Sequence, residues 1–273
     1  MPDVVDFFSA LRTYLDVGAG LPGGFADAPH LYRALKTALA QLLISKIRSC
    51  GPTLRSGHAY LDEVVQRGNV VVTSNWDVLI ERYAGLRGIP IRLSGTGDND
   101  ELVVLKLHGS LDWCLGRHMT RAGNTNNYAR LTELLFPARP YTQTIPPNGS
   151  RQATVFRTRA LERWGSAWRM VSSRASEPHM VTMARGKAGD LGPLRDTWRD
   201  AYGAISRARR LEIIGYSMPP DDTEIRTLLR AGVQRGDALD EVMVRNPSPD
   251  VHARVRKFLD RHVVSDYRGI STV

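Results

Sequence analysis

Four short apolar runs, each ending in a cluster of small polar residues, constrain this chain more than any other feature of its sequence. They are Asn69-Val-Val-Val-Thr73, Leu102-Val-Val-Leu-Lys-Leu107, Arg210-Leu-Glu-Ile-Ile-Gly215 and Glu241-Val-Met-Val-Arg245. Short β-branched runs of this kind suit parallel strands buried on both faces. Helix-like segments follow at 77–86, 223–235 and 250–261. Strand, turn, helix, strand is the order of a parallel sheet covered by helices. The pattern predicts an α/β fold, a three-layer Rossmann-like parallel sheet.

Ahead of the first run, Val5, Phe8, Leu11 and Leu15 share one helical face within 4–15. A glycine- and proline-rich break at 18–29 follows. A second helix is predicted over 31–47, with Leu31, Leu35, Leu39 and either Leu42 or Leu43 inward. The stretch 114–195 shows no clear strand period and is rich in Gly, Asn, Pro and Arg. A structureless span that long does not suit a compact domain, so an irregular or helical inserted module or lid is expected there. The expected organisation is a Rossmann-like domain from 1–113 and 196–273, interrupted by a basic insert at 114–195.

Charge sharpens this division. The chain has 273 residues, 37 basic and 28 acidic, for a net charge of +9. Between Arg151 and Arg210 stand 12 Arg and one Lys against five acids, so 13 − 5 = +8 falls in that segment. It suits a nucleic acid, a phosphorylated ligand or an acidic partner protein, or else a solvated face. Few aromatics interleave with the arginines, which disfavours a base-stacking surface. Two cysteines, Cys50 and Cys114, exclude a four-thiolate zinc site and a disulfide framework. The N-terminus is acidic where a secretory leader is basic, and no apolar run reaches membrane-spanning length, so a cytoplasmic chain with no membrane partner is expected.

In a parallel sheet, ligands bind beyond the carboxyl ends of the strands. Four polar clusters fall at those ends: Thr73-Ser-Asn-Trp-Asp77, His108-Gly-Ser110, Gly215-Tyr-Ser217 and Asn246-Pro247. Each alone is ordinary turn and cap chemistry; together they predict a shared crevice. His108 follows an apolar strand directly and precedes a glycine, which makes its imidazole the candidate general base. The other six histidines (His30, His58, His118, His179, His252 and His262) read as structural. Asn75 can hold a water or a sugar hydroxyl, and Asp77 can stabilise developing positive charge.

These motifs, in this order, resemble the sirtuin-like domain of prokaryotic proteins, many of them antiviral-defence NAD hydrolases. The resemblance runs from about residue 69 to 260. It rests on Val-Val-Thr-Ser-Asn-Trp-Asp, Leu-Lys-Leu-His-Gly-Ser-Leu-Asp-Trp, Ile-Ile-Gly-Tyr-Ser-Met-Pro-Pro-Asp-Asp and Val-Arg-Asn-Pro. It implies hydrolysis of NAD to nicotinamide and ADP-ribose in antiviral defence, with NAD as substrate and no metal. Thr73, Asn75 and Asp77 match the Thr-x-Asn-x-Asp motif that holds the nicotinamide ribose and the attacking water, and His108 matches the catalytic histidine. Gly215 and Ser217 match the turn that approaches the dinucleotide, and Asn246 the residue at the adenosine ribose. A defence-system partner protein or a homo-oligomer is also implied.

Sirtuin deacylases carry a four-cysteine zinc ribbon, so two cysteines argue against deacylation and favour hydrolysis or cyclisation of NAD. The family also opens with a strand running into Gly-Ala-Gly-x-Ser, whose amides cradle the pyrophosphate. Here Gly18-Ala19-Gly20 follows a helix and precedes Leu-Pro, and reads as an interhelical loop. Two alternatives therefore stand beside NAD hydrolysis: a catalytically impaired module that binds NAD or ADP-ribose and a partner, and nucleic-acid binding by the basic segment. The motif order carries the expectation that Met1 lies inside the domain, beyond its first strand and glycine loop. The genomic DNA upstream is then expected to read in frame through a strand and Gly-Ala-Gly-x-Ser; a stop codon close upstream overturns this.

Overall fold

The computed structural model describes residues 4–17, 28–49, 54–55, 57–95, 100–117, 132–134, 141–143, 151–158, 176–182 and 191–268, with backbone alone between 114 and 178 and at some helix ends. Two compact units emerge. One comprises Met1–Pro52, Val72–Gly88 and Lys106–Arg195; the other comprises Thr53–Val71, Ile89–Leu105 and Asp196–Val273.

Helices α1 (Val4–Val17) and α2 (Ala28–Ser49) form where the apolar period is 3.6. Phe8 and Leu11 are buried against Tyr32, with Leu15, Leu31 and Leu35 partly buried around them. The Phe8 and Tyr32 rings meet edge to face at 6.3 Å. Further along α2, Ala40, Ile44 and Ile47 share a cluster with Val78, Leu111 and Met180. Leu43 packs on that cluster, whereas Leu42 is 57% exposed, which decides between the two. The side chain of Val5 and the loop Gly18-Ala19-Gly20 lie outside the described residues.

The first run becomes β1 (Val70–Thr73), preceded by helix α3 (Ala59–Val64) and followed by helix α4 (Leu79–Leu86). Strands β2 (Ile91–Arg92) and β3 (Leu102–Lys106) complete a sheet of order β1-β3-β2. Ile91 stands opposite Leu102 in a parallel pair. The Val103 amide donates to the Asn69 carbonyl at 3.0 Å and the Leu107 amide to that of Thr73 at 2.8 Å. The offset is the same in both (103 − 69 = 107 − 73 = 34), so β1 and β3 also run parallel. All five residues of β3 are buried, as its unbroken apolar run predicts.

Within the second unit, β9 (Arg210–Ile214), α6 (Thr223–Arg235), β10 (Glu241–Arg245), α7 (Pro249–Leu259) and β11 (Val264–Asp266) alternate along the chain, after α5 (Arg195–Arg207). The three strands form a parallel sheet of order β11-β10-β9. Ile225, Leu228, Leu229, Gly232 and Val233 form the buried stripe of α6. A Cβ on Gly232 would stand 2.6 Å from the Ile205 Cγ2, so the glycine lets α5 and α6 approach closely. The fold is thus α/β with parallel sheets, compatible with a Rossmann-like arrangement.

The stretch expected to be irregular or helical is different. Its described residues up to Met180 form β4 (Gly109–Arg117), β5 (Thr132–Leu134), β6 (Tyr141–Gln143), β7 (Arg151–Thr158) and β8 (Ser176–Met180), an antiparallel sheet of order β5-β7-β4-β8 with β6 on β7. The run Arg-Gln-Ala-Thr-Val-Phe-Arg-Thr of β7 places its two large apolar residues side by side. Period-two alternation is therefore missing from the sequence, although the backbone pairs. The sheet also starts at Gly109, ahead of residue 114.

Only Leu107 and His108 separate parallel β3 from antiparallel β4. Gly109 makes this junction possible with φ +75, where a Cβ would meet the carbonyl oxygen of His179 at 2.0 Å. Gly109→Ala is expected to destabilise the protein by at least ~3 kcal/mol, read as a fall in the urea midpoint. A midpoint within experimental error of wild type would mean the two backbones separate easily.

Candidate functional site

At the carboxyl end of β1 the chain forms a tight turn built from its own side chains. The Thr73 Oγ1 accepts from the Asn75 amide at 3.1 Å. The Asp77 Oδ1 accepts from the Leu79 amide at 2.9 Å and so starts α4. The indole Nε1 of Trp76 donates to the Val181 carbonyl at 3.1 Å, and the Trp76 carbonyl accepts from the Leu111 amide at 2.9 Å. Asn75 itself is exposed, while Asp77 is half-buried.

His108 leaves the end of β3, next to the end of β1 because the Leu107 amide bonds to Thr73. The His108 carbonyl accepts from the Val181 amide at 2.8 Å, and the residue is buried. Parallel neighbouring strands release their chains at the same sheet end. Thr73, Asn75, Asp77 and His108 therefore come from adjacent strand exits.

The remaining three candidates lie in the second unit. Gly215 follows β9 with φ +66, its amide bonded to the Arg245 carbonyl at 3.0 Å. Ser217 is exposed, and its carbonyl accepts from Arg254 at 2.7 Å. Between them Tyr216 donates its hydroxyl to Asp222 at 3.0 Å; burial, then the Asp222 charge, push that phenol well above its usual range. Asn246 is buried, and its Oδ1 accepts from the Ser248 amide at 2.9 Å, ahead of α7. Its carbonyl contacts the His252 Nε2 at 2.6 Å.

The chain matches no protein-family model and no curated protein.

Sequence reasoning passed over the buried polar group beneath the β1–β3 exits. Lys106 and Glu81 pair at 2.9 Å with side chains 1% and 3% exposed. Lys106 also donates to the Asp77 carbonyl. Ser110 donates to the Asp112 Oδ1 at 2.6 Å, both buried. Burial, and then the charge of Asp112, hold the Glu81 carboxyl above the usual range against the opposing pull of Lys106. A signal was present: a single Lys inside Leu-Val-Val-Leu-Lys-Leu has no route to water if the strand is covered on both faces.

Among the described residues no group of three or more His, Cys, Asp or Glu is placed to hold a metal ion, and no helix is long and apolar enough to cross a membrane. The basic segment's side chains from 151 to 178 lie outside the described residues. Of its described arginines, Arg195, Arg199, Arg207, Arg209 and Arg210 are exposed.

His179 is buried beside Gly109, and burial, with a further contribution from the Lys36 ammonium, lowers its pKa to about 3. An unfolded histidine titrates at 6.5. Between those values the unfolded chain binds the extra proton, so the stability due to neutral His179 is complete above pH 6.5 and is lost progressively towards pH 3. His179→Leu is expected to reduce the pH slope of unfolding free energy between pH 4 and 6 by about 1.4 kcal/mol per pH unit, measured by urea unfolding. An unchanged slope would assign the acid sensitivity to another group.

Proposed function

We propose that the chain is a sirtuin-like NAD hydrolase that cleaves NAD to nicotinamide and ADP-ribose, with antiviral defence as its setting. One observation carries the reading: the Leu107–Thr73 hydrogen bond brings the Asn75 and Asp77 turn and His108 to adjacent strand exits. An amide, a carboxylate and an imidazole are the groups that this reaction needs.

The bond broken joins the ribose C1′ to a cationic nicotinamide nitrogen. Its electron pair leaves with nicotinamide, which departs neutral, and positive charge develops on the ribose as an oxocarbenium-like state. Asp77 stabilises that charge. One carboxylate oxygen accepts from the Leu79 amide ahead of α4, and the other remains available to the ribose. Asn75 orients a water for attack at C1′, and His108 takes the proton that this water loses. The φ +66 of Gly215 permits close backbone approach to a ligand.

Purified protein incubated with NAD is expected to release nicotinamide and ADP-ribose in equal amounts, followed by liquid chromatography. Asn75→Ala and His108→Ala are each expected to slow release by about 100-fold or more. Asn75 is exposed, so its variant should keep the wild-type melting temperature. Equal rates in wild type and variants would remove the site assignment, and no release by wild type would remove the reaction.

A further inference from the structure

We propose that Lys106, held by Glu81, is the positioning residue of the Thr73–Asp77 turn and, through it, of the NAD-cleaving site. The inference rests on the reading of that site given above. Lys106 is the last residue of β3, and its ammonium faces Glu81 on α4 and the Asp77 carbonyl on the intervening turn. The neighbouring Trp76 carbonyl is taken by the Leu111 amide at 2.9 Å. Two successive carbonyls of the turn are thus bonded from the β3–β4 segment. With the Thr73–Asn75 and Asp77–Leu79 bonds, the backbone beneath Asn75 is tied at both ends and in the middle.

A purely stabilising role does not account for the pair. Both charges are withdrawn from water, and a buried ion pair is commonly no more stabilising than apolar side chains of the same volume. Two apolar residues would fill the space between β3 and α4. What they cannot do is donate a hydrogen bond to the Asp77 carbonyl, and that bond is what orients the turn. Glu81 holds the Lys106 Nζ from the α4 side at 2.9 Å. Ser110 and Asp112 form a further buried pair at 2.6 Å, and the Asp112 charge acts on Glu81.

The test compares full-length wild type with Lys106→Met combined with Glu81→Leu, and with Glu81→Gln alone. Amide hydrogen exchange at Asn75 and Leu79 is measured beside kcat and KM for nicotinamide release. The double variant removes both charges together and is expected to melt within about 5 °C of wild type. Its Leu79 amide should exchange at least about 10-fold faster. Its kcat should fall by about 100-fold, with KM changed by no more than about 3-fold, because misplaced groups slow the chemical step. Glu81→Gln leaves Lys106 a neutral hydrogen-bond partner, so its losses should be smaller than those of the double variant. This variant also carries the test if the double variant fails to fold.

Unchanged exchange at Leu79 in the double variant overturns the inference, whatever happens to NAD. Faster exchange with wild-type kcat overturns it too, and so does a loss in Glu81→Gln as large as in the double variant. If wild type releases no nicotinamide while exchange at Leu79 quickens in the double variant, the NAD reading falls and the positioning of the turn by Lys106 stands.

Discussion

At the exit of β3, two backbones approach more closely than any side chain permits. Gly109 in its left-handed conformation rests on the carbonyl of His179, and within two residues the chain passes from a parallel strand into an antiparallel one. His108 sits in that junction. Its own carbonyl is bonded to Val181 and the preceding amide to Thr73, so main-chain geometry sets the place of the imidazole.

Polar residues at the strand ends serve two purposes at once. Asp77 gives one oxygen to the Leu79 amide, and Asn246 gives its Oδ1 to the Ser248 amide. These bonds satisfy orphan donors ahead of helices α4 and α7. The recurrence of Asn, Asp and Ser after strands thus has a local cause in the turns that lead into helices. Asn75, Gly215, Ser217 and Pro247 are the exposed members of the clusters.

The parallel strands and long helices were legible because their apolar periods reflect burial on known faces. Thr223–Arg235 and Glu241–Arg245 match the expected spans residue for residue. The adjacency of Asn75, Asp77 and His108 followed from parallel sheet topology alone. The antiparallel strands of the insert were not legible, since β7 carries no alternation and β5 and β6 have only three residues each. Strand β2, with two residues, offers no pattern at all. Lys106 could be seen to need a partner, but Glu81 became that partner only once α4 packed against β3. His179 was read as structural; its acid sensitivity depends on burial and on Lys36, neither of which is a property of the local sequence.

Arg245 ties together parts of the second unit that are far apart along the chain. Its guanidinium reaches Glu63 at 2.5 Å, Asp266 at 3.1 Å and Glu212 at 4.0 Å, and Glu63 lies 182 positions earlier. During synthesis, Glu63 leaves the ribosome long before Arg245 exists. At the usual elongation rate of 5–20 residues per second, the delay is roughly 10 to 40 s. For that interval the segment carrying α3 and the start of β1 is made but cannot close its part of the structure. The discontinuous layout of this unit therefore places a late, long-range closure at the end of folding, when its last strands emerge.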